Sequence, residues 1–286
     1  MTRRFVSLAW AAAAATYLLI ILGAIVRITG SGLGCGEHWP LCNGKLLPPL
    51  DLPTMIEYGH RLAAAAVSVL VVALAVVGRL LRKGAGNREW DARVRASYVA
   101  VGLLVLQVAL GAITVKLDLP AWTVVLHLGT AMLLLAALLV AARPRRASSW
   151  SVGDVSPGLR PGLVWRPGLI AAGLGFVTVL WGALTANTGA AGACTGFPLC
   201  NGQFMPTGAL QHTHWTHRLL AYALTAYLLV WVWKTRAPGA RHVLYLVLLQ
   251  VAVAATMVLL GLPAPLQATH VAVGAGVWAG LVLAAR

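Results

Sequence analysis

Long apolar runs separated by short polar segments make up most of this 286-residue chain. A helix needs about 20 residues to cross the hydrocarbon core of a bilayer, and eight runs reach that length. We predict membrane-spanning helices at 6–28, 57–78, 97–116, 122–142, 168–187, 213–233, 243–262 and 266–285. The pattern therefore predicts an all-α membrane protein with eight spans.

The composition agrees with this pattern. Hydrophobic residues account for 59% of the chain and charged residues for only 10%. A soluble domain would carry about 25% charged residues. The composition therefore excludes an ordinary soluble protein.

The net charge of +15 reports topology. Of the 22 basic residues, 17 fall at the two termini or in the segments 79–95, 143–166 and 234–241, which all lie on one side of the predicted spans. Cytoplasmic loops carry the excess of Lys and Arg in membrane proteins. We therefore expect both termini in the cytoplasm, and we expect membrane lipid, not nucleic acid, around the chain.

The chain is an internal duplication. The matching residues are Cys35 with Cys194, Cys42 with Cys200, His60-Arg61 with His217-Arg218, Gln107 with Gln250, and His127 with His270. So many rare residues in register predict two four-helix bundles in parallel topology, related by an axis along the membrane normal. We expect an N-terminal half at 1–142, a linker at 143–166 and a C-terminal half at 167–286.

Four histidines lie at matching depth near the outer ends of their predicted spans: His60, His127, His217 and His270. Paired imidazoles on facing helices are a common way to hold haem iron. A single such histidine is better explained by an interhelical hydrogen bond, but a duplicated pair favours haem. We treat His38, His212 and His242 as incidental.

Copper or non-haem iron is the weaker interpretation of these histidines. Such sites usually need a third or fourth protein ligand. Only Glu57 could supply one in the first half, and only His214 in the second.

Three arginines are candidate contacts for haem propionates. Arg61 and Arg218 follow the first histidine of each pair, and Arg27 closes the first span. Guanidinium groups bind carboxylates bidentately. An alternative is that these side chains reach the lipid headgroups.

The four cysteines form two pairs in the predicted outer loops. Their spacing is not that of a CxxC redox motif, and zinc would need the two pairs to converge or added histidines. An oxidising compartment permits disulfides. We therefore predict Cys35–Cys42 and Cys194–Cys200 bonds, and their spacing leaves open whether either takes part in catalysis.

The two halves differ in their polar residues. Glu57 lies three residues before His60, on the same helical face, and its repeat partner is His214. Arg27 has Ala186 as its partner. This asymmetry predicts that one half performs chemistry while the other holds a cofactor.

Taken together, these motifs resemble the haem A synthases, in the bacterial form that carries cysteines in its outer loops. The resemblance covers nearly the whole chain and rests on Glu57-x-x-His60-Arg61, His127, His217-Arg218, His270 and the two cysteine pairs. It implies an enzyme of the bacterial cytoplasmic membrane that converts haem O to haem A, the prosthetic group of haem–copper oxidases. The C8 methyl group would be oxidised through an alcohol to a formyl group.

The resemblance also implies roles for residues. The second half would bind haem b as a cofactor through His217 and His270, and the first half would take the substrate haem through His60 and His127. Glu57 matches the essential acidic residue of the family.

The resemblance further implies a partner and a role for one disulfide. The Cys35–Cys42 bond would help electron transfer or a partner interaction. A protohaem farnesyltransferase (haem O synthase) would supply the substrate and is an expected partner.

Two other classes of protein fit the residues alone. One is a two-haem membrane cytochrome b that passes electrons from quinol without modifying haem. The other is a haem transporter or chaperone. Glu57 favours the enzyme, because a carrier has no evident need for a carboxylate in one half only.

Overall fold

The computed structural model describes residues 2–46, 48–82, 88–143 and 167–285. Apart from Arg143, the predicted linker 143–166 lies outside the described residues. Within these ranges the chain forms eight α-helices and a short 3₁₀ turn at Ala190–Gly192. The helices are α1 (Thr2–Ile28), α2 (Leu52–Arg82), α3 (Arg88–Lys116), α4 (Ala121–Ala142), α5 (Pro167–Asn187), α6 (Ala209–Thr235), α7 (Pro238–Leu259) and α8 (Ala264–Ala284).

Seven of these described helices are long and apolar enough to cross a membrane. The prediction of an all-α membrane protein is therefore confirmed. The remaining helix, α6, has 27 residues, about 40 Å at 1.5 Å per residue, but histidines, Arg218 and several Tyr and Trp residues make it less apolar. The eighth span stays a prediction.

Several helices begin before the apolar runs that predicted them. α2 begins at Leu52, whereas its run begins at 57. Asp51 precedes the helix, and its Oδ1 accepts a hydrogen bond of 3.1 Å from the Thr54 backbone N–H. This side-chain cap satisfies one of the free N–H groups at the helix start, and it holds the pKa of Asp51 below its ordinary value.

The helices pack as two rings of four. In the first ring α1 contacts α2 and α4, and α3 contacts α2 and α4; α5 to α8 repeat this arrangement. The rings meet where α4 contacts α5 and where α8 contacts α1 and α4. Hydrogen bonds also cross this boundary, from Tyr17 Oη to the Ala272 carbonyl at 2.8 Å and from Trp278 Nε1 to the Met132 carbonyl at 2.7 Å.

Two loops, 29–51 and 188–208, lie at one end of the molecule, which we call the disulfide end, and they share backbone features around their second cysteine. Each has an Asn-Gly pair in the left-handed region, Asn43-Gly44 and Asn201-Gly202. In each, an isolated antiparallel bridge pairs the second cysteine with the residue three positions later, Cys42 with Lys45 and Cys200 with Gln203. The duplication seen in the sequence therefore extends to the backbone of the loops.

The first loop rests on the start of α2 at Gly34. Its carbonyl accepts a hydrogen bond of 2.8 Å from Thr54 Oγ1, and a Cβ at Gly34 would lie 2.6 Å from the backbone of Pro53. We expect Gly34→Ala to lower the midpoint of thermal unfolding in detergent, because overpacking against rigid backbone costs about 1–3 kcal/mol.

Gly102→Ala is the matched control for this change. Gly102 is an exposed residue of α3, and a Cβ there would have no neighbour within 4 Å. We expect its midpoint to stay the same or rise slightly, since alanine favours the helix. Equal midpoints for the two variants would show that the loop is not seated on α2 as described.

Candidate functional site

The four histidines predicted as ligands occupy equivalent positions. His60 is the ninth residue of α2 and His217 the ninth of α6, while His127 is the seventh of α4 and His270 the seventh of α8. All four helices begin at the disulfide end. Each half therefore presents two imidazoles at similar depth, about two helical turns from that end.

In the second half the two imidazoles face each other. The ring centroids of His217 and His270 are 6.5 Å apart, and the ring planes meet at 78°. Two imidazoles paired in this way could hold a haem iron between them. In the first half, His60 and His127 occupy the equivalent positions on α2 and α4.

Glycines leave room for three of these rings. A Cβ at Gly23 of α1 would lie 3.2 Å from His60 Cε1, and a Cβ at Gly182 of α5 would lie 2.8 Å from His217 Cε1. Gly111 of α3 stands in the same relation to His127, at 3.2 Å. Each of these three imidazoles is thus held against the backbone of a neighbouring helix in the same four-helix half.

Two glutamines also contact the histidines, and the sequence had not assigned a role to either glutamine. Gln107 Nε2 lies 3.1 Å from His127 Nε2, and Gln250 Nε2 lies 3.0 Å from His270 Nδ1. Each glutamine has the same spacing from its histidine, so the shared repeat offset was the signal that could have identified them. An amide at this position can fix the orientation of a ligating ring.

Several buried polar atoms around the histidines have no hydrogen-bond partner among the described residues. They are Nδ1 of His60, His127 and His217, and Oε1 of Gln107 and Gln250. Buried polar groups are normally satisfied, so such a concentration indicates an external ligand. The residues therefore fit a haem between each pair of imidazoles.

A site for another metal is not evident in the described ranges. No group of three or more His, Cys, Asp or Glu side chains there could hold a metal ion.

Glu57 is buried, and together with Arg61 it binds the first disulfide loop; we call this pair the clamp. Its Oε2 accepts a hydrogen bond of 2.8 Å from the Cys35 backbone N–H, and its Oε1 pairs with the Arg61 guanidinium. Arg61 Nη1 also donates to the carbonyls of His38 and Leu41, both at 2.8 Å. The carboxylate thus joins α2 to the loop, which its place in the sequence did not reveal.

Arg218 holds the second loop without a carboxylate. Its guanidinium donates to the carbonyls of Cys194, Gly196 and Leu199, at distances of 2.6–3.0 Å. His214, in the place of Glu57, is buried and donates from Nδ1 to the Ala190 carbonyl at 3.1 Å. The guanidinium groups of Arg61 and Arg218 are therefore bound to loop carbonyls, and propionate contacts for them stay predictions.

Arg27 makes a different set of contacts from the other two arginines. Its Nη2 donates to Gln267 Oε1 at 3.2 Å, and its Nη1 to the Ala186 carbonyl at 3.4 Å. Both acceptors belong to the second ring, although Arg27 belongs to the first. His38, His212 and His242 are exposed, as expected for incidental residues.

Both predicted disulfides are confirmed. Cys35 is bonded to Cys42 and Cys194 to Cys200. All four cysteines have 1% or less of their surface exposed, so the loops close over their own sulfur atoms.

An apolar cavity of about 490 Å³ lies apart from the histidines, between α4 and α5. Its lining residues are Trp122, Val125, Leu126, Val177, Leu180, Trp181 and Leu184. No polar group lines it other than the tryptophan rings, so it does not provide ligands for a metal or a haem.

Comparison with known proteins identifies relatives over most of the chain. A family model described as cytochrome oxidase assembly protein (COX15-CtaA) matches residues 6–55 and 51–282. The haem A synthase of Symbiobacterium thermophilum is 35% identical over 239 residues, which cover 76% of this chain and 71% of the relative. Those of Shouchella clausii and an Exiguobacterium species are 33% and 30% identical, over 76% and 85% of this chain and 72% and 80% of the relatives.

The burial of the sulfur atoms predicts how the disulfides react. With the protein folded in detergent, a phosphine reductant and iodoacetamide should label few cysteines, because reagent must reach a sulfur before exchange begins. After denaturation, the same reagents should label all four, and non-reducing peptide mapping should find the two pairs described above.

Rapid labelling of Cys35 and Cys42 in the folded protein would contradict this expectation. It would show that the first loop opens readily. The Cys194–Cys200 pair, which packs against Trp215, serves as the internal control.

Proposed function

The chain belongs to the cytochrome oxidase assembly protein family COX15-CtaA, and we propose from this that it is a haem A synthase. Such an enzyme oxidises the C8 methyl group of haem O to a formyl group and so produces haem A. The observation that carries the proposal, besides the family, is the pair of histidines at equivalent helix positions in each half, whose rings face each other in the second half. A protein that held one haem would not need the second pair.

We assign a different haem to each half. His217 and His270 would hold haem b as a resident cofactor, in line with the 6.5 Å between their rings. His60 and His127 would receive the substrate haem O. A bound haem b supplies one-electron redox chemistry.

The side chains around the histidines would orient them for this task. Gln107 and Gln250 contact the rings of His127 and His270 through Nε2, whose N–H can donate to the ring nitrogen and fix the orientation of the ring. Gly23 and Gly182 keep the rings of His60 and His217 close to the helix backbone.

Glu57 would act at the substrate haem, as its position one turn from His60 favours. Its carboxylate accepts three hydrogen bonds, from Cys35 and Arg61, and has room for a fourth. It can therefore accept a proton as the methyl group is oxidised, while the clamp keeps it in place. Arg61 balances its negative charge in the buried setting.

The asymmetric placement of basic residues supports a location in the bacterial cytoplasmic membrane with both termini in the cytoplasm. The disulfide end and both haem sites would then face the outer side. A protohaem farnesyltransferase (haem O synthase) is the proposed partner, because the substrate is too apolar to diffuse freely through water.

Haem analysis tests the function. The chain is expressed with and without the farnesyltransferase, and extracted haems are identified by mass spectrometry. We expect haem A only when both are present.

His127→Ala should abolish haem A but keep the resident haem b, whereas His270→Ala should remove the six-coordinate low-spin spectrum of haem b.

Failure to form any formyl haem in the presence of haem O would reject the enzyme. An unchanged low-spin spectrum in His270→Ala would instead reject the assignment of the resident haem to the second half. Expression of the chain without the farnesyltransferase is the control for endogenous haem A.

Glu57→Gln separates chemistry from loop anchoring. The amide can still accept from Cys35 N–H, but its NH₂ group cannot accept a proton and would face the Arg61 guanidinium. Loss of a general base commonly costs 100-fold or more, so we expect haem A formation to fall by roughly that factor while the haem b spectrum is kept.

His214→Gln is the control in the second half. It changes the equivalent residue and keeps a donor for the Ala190 carbonyl, so haem A formation should change little. Normal haem A formation in Glu57→Gln would remove Glu57 from the chemistry and leave it an anchor of the loop.

A further inference from the structure

Arg27 is a residue of the first ring whose polar contacts all lie in the second. It stands in the last turn of α1, half-buried at the disulfide end. Its guanidinium donates to Gln267 Oε1 of α8 and to the Ala186 carbonyl of α5. The side chain therefore crosses the boundary between the rings.

These two contacts lie next to the proposed haem b site. Gln267 is three residues before His270 on α8, and Ala186 is four residues after Gly182, the glycine against which His217 packs. Residues three or four apart share a helix face. The guanidinium thus lies one helical turn toward the disulfide end from both histidines of that site.

The same helix also contributes to the first site through Gly23, which lies four residues before Arg27 and packs on His60. Gly23 contributes only a close contact of its backbone with the imidazole of His60, and no charged group. The cation of α1 is directed to the other haem site.

The charge of Arg27 has no anionic partner among the described residues. A guanidinium has five N–H donors, and here two of them make long hydrogen bonds to neutral oxygens. Arg61 and Arg218, by contrast, each donate to several loop carbonyls at 3.0 Å or less, and Arg61 also pairs with Glu57. A half-buried cation with free donors favours a carboxylate.

We propose that Arg27 binds a propionate of the haem held by His217 and His270, so that a residue of the first half completes the cofactor site of the second. This inference rests on the proposed function, which supplies the haem. The repeat partner of Arg27 is Ala186, so the substrate site receives no such cation from α5. The charge thereby distinguishes a haem that is retained from one that must leave as product.

Haem retention and midpoint potential in Arg27→Gln test the proposal. A charge-assisted hydrogen bond contributes enough that its loss should speed haem transfer to excess apomyoglobin by about tenfold or more. The midpoint potential of the resident haem should also fall, because loss of a nearby positive charge favours the more positive, oxidised iron.

Two further variants isolate the charge. Arg27→Lys keeps the cation and should keep a potential near that of the wild type. Lys116→Gln removes an exposed cation from the end of α3, at the same end of the molecule, and should change neither quantity.

Wild-type retention and potential in Arg27→Gln would overturn the proposal. So would equal potentials in Arg27→Lys and Arg27→Gln, which would indicate a packing effect. If the wild-type protein bound no haem b, the proposed function would fail instead, and the two failures are therefore distinguishable.

Discussion

The need to satisfy polar groups inside an apolar bundle shapes the whole molecule. An imidazole, a carboxylate or a guanidinium buried among helices costs several kcal/mol unless it finds a partner. Glu57 and Arg218 meet this requirement with partners of the protein itself. The histidines meet it only in part, since buried nitrogens of His60, His127 and His217 stay unpartnered among the described residues. The unpartnered histidine nitrogens therefore mark where a ligand could bind.

The disulfide loops depend on the same requirement. The backbone carbonyls of such a loop have no helical hydrogen bonds to satisfy them. In each half, the arginine that follows the first of the two paired histidines binds several of these carbonyls at once. Arg61 and Arg218 therefore fix the loops relative to the helices that carry His60 and His217. The disulfide limits the shape of each loop, while the arginine determines where it sits. The disulfide thus restricts the internal conformation of the loop, and the hydrogen bonds restrict its position on the helices.

Features with a local or repeated signal could be predicted from the sequence. Helix positions follow from apolar runs, and the disulfides and histidine pairs follow from spacing and duplication. Helices such as α2 begin several residues before the predicted spans, because the Asp51 cap extends the helix beyond its apolar part. The partners of Arg61, Arg218 and Gln250 were not predicted. They depend on contacts between segments about 20 residues apart in the sequence, and the residue types alone fit several partners equally well.

The duplication explains why two residues can give the halves different roles. Two copies of one bundle would bind two haems equally, and an enzyme that used one haem to modify the other could not work that way. The polar differences lie close to the histidines: Glu57 against His214, and Arg27 against Ala186. The first pair puts a carboxylate beside the proposed substrate site, and the second directs a cation toward the proposed cofactor site. Glu57 lies one helical turn from His60, and Arg27 contacts Gln267, which lies one helical turn from His270. The two halves therefore keep the same helix arrangement while the polar groups near the two proposed sites differ.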